Sequence, residues 1–308
     1  MNNQYNIIKE NLDNLGIHYL ENEPMRKHTT FGIGGPVDLM VLPSNNSMIE
    51  DIIKIINRNN INYYFLGSGS NILVNDEGIK GIVISLKKSS KEIIFKENKV
   101  YVECGAMLGT FVKKLNNKNI AGYETLIGVP GTVGGALIMN AGAFGSEISK
   151  NLISVNAINI NGEKRHYKFK DINFSYRYSS FNRDDILIDA LFRCEVGNKK
   201  NIEENKKKAS NLRKTNQPLK YRSAGSIFKN PTSSVAAGYL IDKAGLKGTK
   251  IGDAEISNKH ANFILNLGKA KSNEVLDLIK MIKEKIKIMF DINLELEIKI
   301  LGYNYEKN

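Results

Sequence analysis

The 308-residue chain is 42% hydrophobic and 25% charged, which is ordinary globular material with interior enough for two or three domains and excludes a disordered tail. No apolar run approaches the ~18–20 residues needed to span a bilayer. The net charge of +12 attracts nucleotide phosphates and other small anions as readily as nucleic acid. The Lys206-Lys207-Lys208 run has no interleaved aromatics and reads as a solvated face.

The N-terminus is polar and helical in pattern, with Ile8, Leu12 and Leu15 on one face. It lacks the basic head, apolar stretch and small-residue cleavage site of a signal peptide, so a cytoplasmic protein is expected. Residues 31–43 read as a strand entered through glycines, with Val37, Leu39 and Val41 alternating and Pro43 closing it. Ser47 and Glu50 form a capping box before Ile49, Ile52, Ile53 and Ile56, the face of an amphipathic helix. A strand at 63–66 runs into Gly67-Ser68-Gly69-Ser70-Asn71, and strands follow at 72–74 and 82–84.

A second unit begins near residue 85. Strands at 92–95 and 99–104 precede a helix with Leu108, Phe111, Val112 and Leu115 on one face. Cys104 and Cys194 lie in strand-like segments and fit a reducing compartment better than a disulfide scaffold. A glycine-rich stretch from Gly122 to Gly145 is followed by strands near 153–160, 165–169 and 186–196. A polar helix at 202–212 connects to a third unit. There Ser272 caps a helix with Val275, Leu278, Ile279, Ile282 and Ile286 on one face, and the strand 292–300 alternates strictly.

Gly67-Ser68-Gly69-Ser70-Asn71 directly follows a strand, where backbone N–H groups can cradle a phosphate. A dinucleotide fingerprint needs glycine at position 72, where Ile72 stands, and Gly32-Ile33-Gly34-Gly35-Pro36-Val37 fails likewise at Val37. No GxxxxGK[ST] occurs, so neither a Rossmann domain nor a P-loop is supported. Gly128, Gly131, Gly134, Gly135, Gly142 and Gly145 crowd one span. Each costs ~0.5–1 kcal/mol relative to alanine inside an element. Contact with an extended cofactor or tight helix–sheet packing would compensate.

Thr29-Thr30-Phe31-Gly32-Ile33-Gly34-Gly35, the 66–74 segment and Gly128-Val129-Pro130-Gly131-Thr132-Val133-Gly134-Gly135 together resemble the FAD-binding module of the vanillyl-alcohol-oxidase (PCMH) type. Tyr176-Arg177-Tyr178-Ser179-Ser180-Phe181, Ala224-Gly225-Ser226-Ile227-Phe228-Lys229-Asn230-Pro231, residues 256–266 and residues 294–302 are similar to the UDP-N-acetylenolpyruvoylglucosamine reductase family. The resemblance runs from about residue 25 to 302 and looks like the shorter subtype, which lacks a tyrosine-bearing loop over the substrate.

The resemblance implies an α+β fold: two non-Rossmann FAD-binding subdomains at 1–85 and 86–210, and an α+β substrate-binding domain at 211–297. The tail 298–308 is a further candidate part of the first subdomain. It also implies an oxidoreductase of peptidoglycan precursor synthesis, and hence of cell shape and division. NADPH would reduce noncovalent FAD, whose N5 would give hydride to C3 of UDP-N-acetylglucosamine enolpyruvate, yielding UDP-N-acetylmuramate.

By the same resemblance, Arg177 holds the enolate, Glu297 hydrogen-bonds to it if protonated, and Ser226 gives a proton to C2. Periodicity alone leaves Glu295 and Glu297 equivalent on one polar face. Cofactor residues would be Leu66, Gly67, Ser68, Gly69, Ser70 and Asn71 in the first loop. In the second stretch they would be Gly128, Pro130, Gly131, Thr132 and Gly135, then Asn140, Ala141 and Gly142. Substrate contacts would be Tyr176, Arg177, Arg222, Lys229, Asn230, Lys259 and His260. No metal site is indicated by His18, His28, His166 and His260. A monomer is the expectation. Two other readings stay open at this level: an FAD-dependent alcohol oxidase on the same scaffold, and a non-catalytic protein that binds UDP-sugar or nucleic acid.

Overall fold

The computed structural model describes residues 3–182 and 184–303. Residues 304–308, the end of the tail considered for the first subdomain, lie outside the described residues. The chain forms two compact units, one of residues 1–21, 39–68 and 81–212, the other of residues 22–38, 69–80 and 213–308.

Helix α1 (Asn3–Asn14) buries Ile8 and Leu12, whereas Leu15 lies past its end and is exposed. Strand β1 (His18–Pro24), which the sequence pattern did not reveal, and β2 (Pro36–Leu42) follow. β2 starts later than the 31–43 expectation. The turn before it contains Gly32 and Gly34 at φ +67° and +134°, a conformation no strand adopts.

Helix α2 (Ser47–Arg58) buries the expected isoleucines. Its first turn is held by Asn45, whose Oδ1 accepts the Met48 N–H at 3.2 Å, so Ser47 is inside the helix and is not its cap. α2 joins β3 (Tyr63–Leu66). β4 (Ile72–Val74) and β5 (Ile79–Ser85) come next. β3 and β5 run parallel, with Tyr63 opposite Ile82, in a sheet ordered β1-β2-β5-β3.

β6 (Ile93–Lys96) and β7 (Lys99–Glu103) form a hairpin. Helix α3 (Leu108–Asn117) buries Leu108, Phe111, Val112 and Leu115 completely, the i, i+3, i+4, i+7 stripe. Phe111, Tyr123 and Phe192 meet at 5.3–6.0 Å between ring centroids, a triad whose pairs contribute about 0.5–1.5 kcal/mol each beyond area burial. Within the glycine stretch lie a short helix α4 (Val133–Ile138) and a hairpin β8 (Gly142–Ala143) and β9 (Ser146–Glu147).

β10 (Leu152–Ile158) and β11 (Lys164–Lys168) precede a second small hairpin, β12 (Phe174–Ser175) and β13 (Tyr178–Ser179), and then β14 (Ile186–Arg193). The antiparallel sheet β11-β10-β14-β7-β6 backs the α3 core. Helix α5 (Lys199–Asn216) is polar and buries only Ile202 and Ala209.

The second unit's core gathers Phe31, Ile227, Phe228, Ile264 and the apolar face of the last helix. Here α6 (Ala237–Lys243) leads to the antiparallel strands β15 (Lys250–Ile251), β16 (Ala254–Ile256) and β17 (Ile264–Asn266). Helix α7 (Ser272–Phe290) buries Val275, Leu278, Ile279, Ile282 and Ile286.

Ser272 is not the cap of α7 but its first residue. Its N–H and Oγ both donate to Asp76 Oδ2, at 2.7 and 2.8 Å, so a carboxylate 196 positions away closes the helix start. The final strand is β18 (Lys299–Leu301), parallel to β4. It is shorter than the expected 292–300, because Phe228 meets Leu296 only as an isolated bridge and offers no continuous ladder there.

Candidate active site

In the first unit, Gly67, which opens the first glycine loop, lies against Thr132 of the second glycine stretch. Leu66 ends β3, and a Cβ on the following Gly67 would lie 2.6 Å from Thr132 Oγ1. Thr132 caps α4, accepting the Gly135 N–H at 3.2 Å. The next donors of α4 are engaged as well: Val133 N–H with Ala106 O at 2.8 Å, and Gly134 N–H with Cys104 O at 2.9 Å. The start of α4 is therefore locked to the 104–107 turn, and glycine at 134 is required because a Cβ would meet Cys104 Cβ at 2.9 Å. Burial pushes the Cys104 thiol well up, helped by Asp189 and Glu103, so it packs as a neutral group.

The loops fit an extended phosphate-bearing cofactor. Gly69 at φ +69° supplies the left-handed step that turns successive N–H groups to one side, and Gly128 and Gly131 do the same at φ +78° and +143°. Within the first unit, FAD would be held at Gly67–Ser68 and Gly128–Gly131. Thr132 and Gly135 would act by holding that backbone, the Thr132 hydroxyl accepting the Gly135 N–H.

Asn140 follows α4 in the left-handed region at φ +40° and is fully buried. Its Nδ2 donates to Glu147 Oε2 at 2.9 Å and to Ser175 O at 3.1 Å. Ala141 closes the helix by donating to Ala136 O at 2.8 Å. Tyr176 and Arg177 form the tip of the β12–β13 hairpin. Arg177 is held at φ +54°, unusual for a bulky residue, and its guanidinium carbon lies 5.0 Å from the Tyr176 ring centroid. A cleft of about 510 Å³ opens here, lined among others by Gly142, Phe144, Glu147, Lys150, Tyr176 and Arg177. A Cβ on Gly142 would come within 3.7 Å of Arg177 Nη1 and 2.9 Å of Ser146 O, so glycine lets the hairpins approach.

In the second unit, the Thr29–Gly35 motif turns out to serve the Ser226 loop. Thr30 Oγ1 donates to Ser223 O at 2.8 Å, and the Arg222 side chain crosses Gly32, whose Cβ would sit 2.5 Å from Nη1. Asn266 Nδ2 donates to Phe31 O at 2.9 Å, and its N–H to Arg222 O at 2.9 Å. Ser226 is half-buried just after Gly225 at φ +80°.

Residues 227–229 run antiparallel to 295–297. Glu297 N–H donates to Ile227 O at 2.8 Å, and Lys229 N–H to Glu295 O at 2.9 Å. Asn71, a residue of the first glycine loop, joins this pair: its Nδ2 donates to Glu297 O at 3.0 Å and its O accepts Lys299 N–H at 2.9 Å. Periodicity made Glu295 and Glu297 equivalent, but their surroundings differ. Glu295 is largely exposed and pairs with Lys229 Nζ at 3.3 Å, whereas Glu297 is half-buried.

Asn262 escaped the sequence reading, although it stands out as a lone amide in an apolar run. It is buried, and it clasps the main chain of Phe228 by accepting its N–H at 3.0 Å and donating to its O at 2.8 Å. The other candidates sit at the margins. Asn230 Oδ1 accepts the Ala237 N–H at the start of α6, at 3.1 Å. Lys259 Nζ donates to Lys214 O at 2.6 Å. His260 packs edge-on against Phe263 at 4.8 Å, and burial holds its pKa below the ordinary value.

An FAD binding domain family matches residues 37–167, which with the non-Rossmann α+β fold defines a flavoprotein oxidoreductase. The domain family described as UDP-N-acetylenolpyruvoylglucosamine reductase, C-terminal domain, matches residues 217–301. The chain is 38% identical to the UDP-N-acetylenolpyruvoylglucosamine reductase of Clostridium tetani over 98% of each chain. It is likewise 38% identical to the Bacillus subtilis enzyme of that name, over 92% of this chain and 94% of that one. The crystal structure of the Thermus caldophilus reductase superposes with a TM-score of 0.77 at 32% identity, covering 93% of this chain and 99% of that one. The chain belongs to the UDP-N-acetylenolpyruvoylglucosamine reductase family. The family and its FAD-binding domain imply FAD and NADPH as cofactors and a role in peptidoglycan synthesis.

Proposed function

We propose that the chain reduces UDP-N-acetylglucosamine enolpyruvate to UDP-N-acetylmuramate, with NADPH as reductant and Arg177, Ser226 and Glu297 as the catalytic residues. When bound, FAD supplies hydride chemistry at its N5 toward C3 of the enol ether. Arg177 holds the substrate carboxylate, and with it the negative charge that develops as C3 is reduced, through its planar fork. Ser226 gives its hydroxyl proton to C2. Glu297, protonated, donates a hydrogen bond to the enolate oxygen.

The observation that carries this reading is the Glu297 N–H to Ile227 O bond, which sets the Ser226 loop and Glu297 on adjacent segments of one unit. Among the described residues, no helix is long and apolar enough to cross a membrane. A nucleotide-sugar substrate and NADPH point to the cytoplasm, and a monomer suffices for the reaction. We assign residues 1–85 and 86–210 to FAD binding and 211–297 to the substrate.

The test is NADPH consumption by the purified protein with and without the enolpyruvyl UDP-sugar under anaerobic conditions. Consumption that requires the sugar supports the reading. A flavin-bearing protein that consumes no NADPH with the sugar, and whose reduced flavin is rapidly reoxidised once oxygen is admitted, identifies an oxidase. A flavin-free preparation with no consumption overturns the enzyme assignment.

A further inference from the structure

We propose that Asn140 is the positioning residue for Arg177. The inference rests on the reading that Arg177 holds the substrate. Both neighbours of the Asn140 amide nitrogen, Glu147 Oε2 and Ser175 O, are acceptors, so only an NH₂ group satisfies them and the orientation of the amide is fixed by chemistry. Ser175 precedes the hairpin tip by one residue. On the opposite strand, Ser179 Oγ donates to Ile138 O at 2.8 Å, engaging a carbonyl that the end of α4 would otherwise leave unpaired. Both strands of the Arg177 hairpin are thus riveted to the C-terminal end of α4.

The other end of α4 begins at Thr132, against Gly67. One short helix therefore fixes the Arg177 hairpin with respect to Gly67, within the first unit. Asn140 is suited to the task because asparagine tolerates the left-handed conformation that turns the chain here, and its burial shields the two bonds from water. The consequence for the reaction is geometric: Arg177 needs a fixed position on its hairpin, and a displacement of an ångström is enough to lower turnover about 100-fold.

The experiment is a double-mutant cycle on the FAD-loaded enzyme, with kcat and KM measured for the enolpyruvyl UDP-sugar. Asn140→Asp keeps the shape but turns a carboxylate toward two acceptors. It is expected to lower kcat about 10- to 100-fold, with a smaller change in KM. In the Arg177→Ala background the same change is expected to add less than about threefold, because the arginine it positions is gone. Losses that multiply, or parent-like turnover in Asn140→Asp, overturn the proposal alone. Parent-like turnover in Arg177→Ala overturns the reading of Arg177 and the proposal with it.

If Asn140→Asp fails to fold or to retain flavin, Ser179→Ala is the deciding variant. It removes the second rivet from a less buried position and is expected to lower kcat about 3- to 10-fold, an effect again absent without Arg177. Parent-like turnover there overturns the proposal.

Discussion

Glu297 donates its backbone N–H to the carbonyl of Ile227 at 2.8 Å, so Ser226, the acid assigned to C2 protonation, is the chain neighbour of the residue that pairs with the Glu297 main chain. If Ser226 delivers that proton, Ser226→Ala retains FAD and loses enol ether reduction by at least about 100-fold, the span of general acid catalysis. Rapid-quench turnover of the sugar measures it. Turnover within threefold of the parent would show that another group supplies the proton.

Glu297 and Glu295 share a polar face but not an environment. Glu297→Gln keeps a hydrogen-bond donor and is expected to lose less activity than Glu297→Ala. Glu295→Gln breaks only an exposed pair with Lys229, of a kind contributing about 0–1 kcal/mol, and leaves kcat within about twofold. Equal losses for the two Glu297 variants would assign it proton transfer in place of hydrogen bonding.

Gly69 separates backbone need from loop flexibility. A Cβ there would sit 2.0 Å from the His28 carbonyl oxygen, in a left-handed conformation. Gly69→Ala is expected to distort the loop and yield protein without bound flavin. Gly145→Ala, at φ +85° with nothing within 4 Å of its Cβ, costs about 1 kcal/mol and keeps flavin. The flavin absorbance per mole of purified protein decides between them.

Asn262 satisfies both main-chain groups of buried Phe228. Asn262→Leu leaves them unpaired and is expected to destabilise the protein by about 2–5 kcal/mol, read from urea unfolding. A change below 1 kcal/mol, within the ordinary scatter of surface variants, would mean that the Ser226 loop does not depend on this clasp.

His260 gives the pH dependence its sign. Burial holds its folded-state pKa below the ordinary 6.5, with Lys247 contributing in the same direction. A base with a depressed folded pKa contributes stability above its unfolded pKa, and loses it as pH falls below about 6.5 and through the folded value. Urea midpoints are therefore expected to fall more between pH 7.5 and 5.5 for the parent than for His260→Gln. Parallel curves would mean that the imidazole titrates normally.

The helices were legible because α2, α3 and α7 each bury a stripe with helical spacing, and no other residue is needed to read it. The failed fingerprints at Ile72 and Val37 and the family motifs together reached the non-Rossmann class. The start of α7 was misread because Asp76 closes it from 196 positions away, a relationship no local pattern contains, whereas at α2 the holding residue is Asn45, only two positions before Ser47. α4 was hidden because glycines at 134 and 135 argue against a helix, and packing on Cys104 overrides that preference. Asn140 lies in the glycine-rich stretch and Asn262 in the 256–266 motif, but their bonds run to Ser175 and Phe228, which only folding brings near.

The most direct measurement is anaerobic. Reduce the protein-bound flavin, remove excess reductant, and add the enolpyruvyl UDP-sugar while following the flavin absorbance. Stoichiometric reoxidation with formation of UDP-N-acetylmuramate, slowed at least about 100-fold in Ser226→Ala, is the expected result. Flavin that stays reduced with the sugar present, and is reoxidised only when oxygen is admitted, would contradict it.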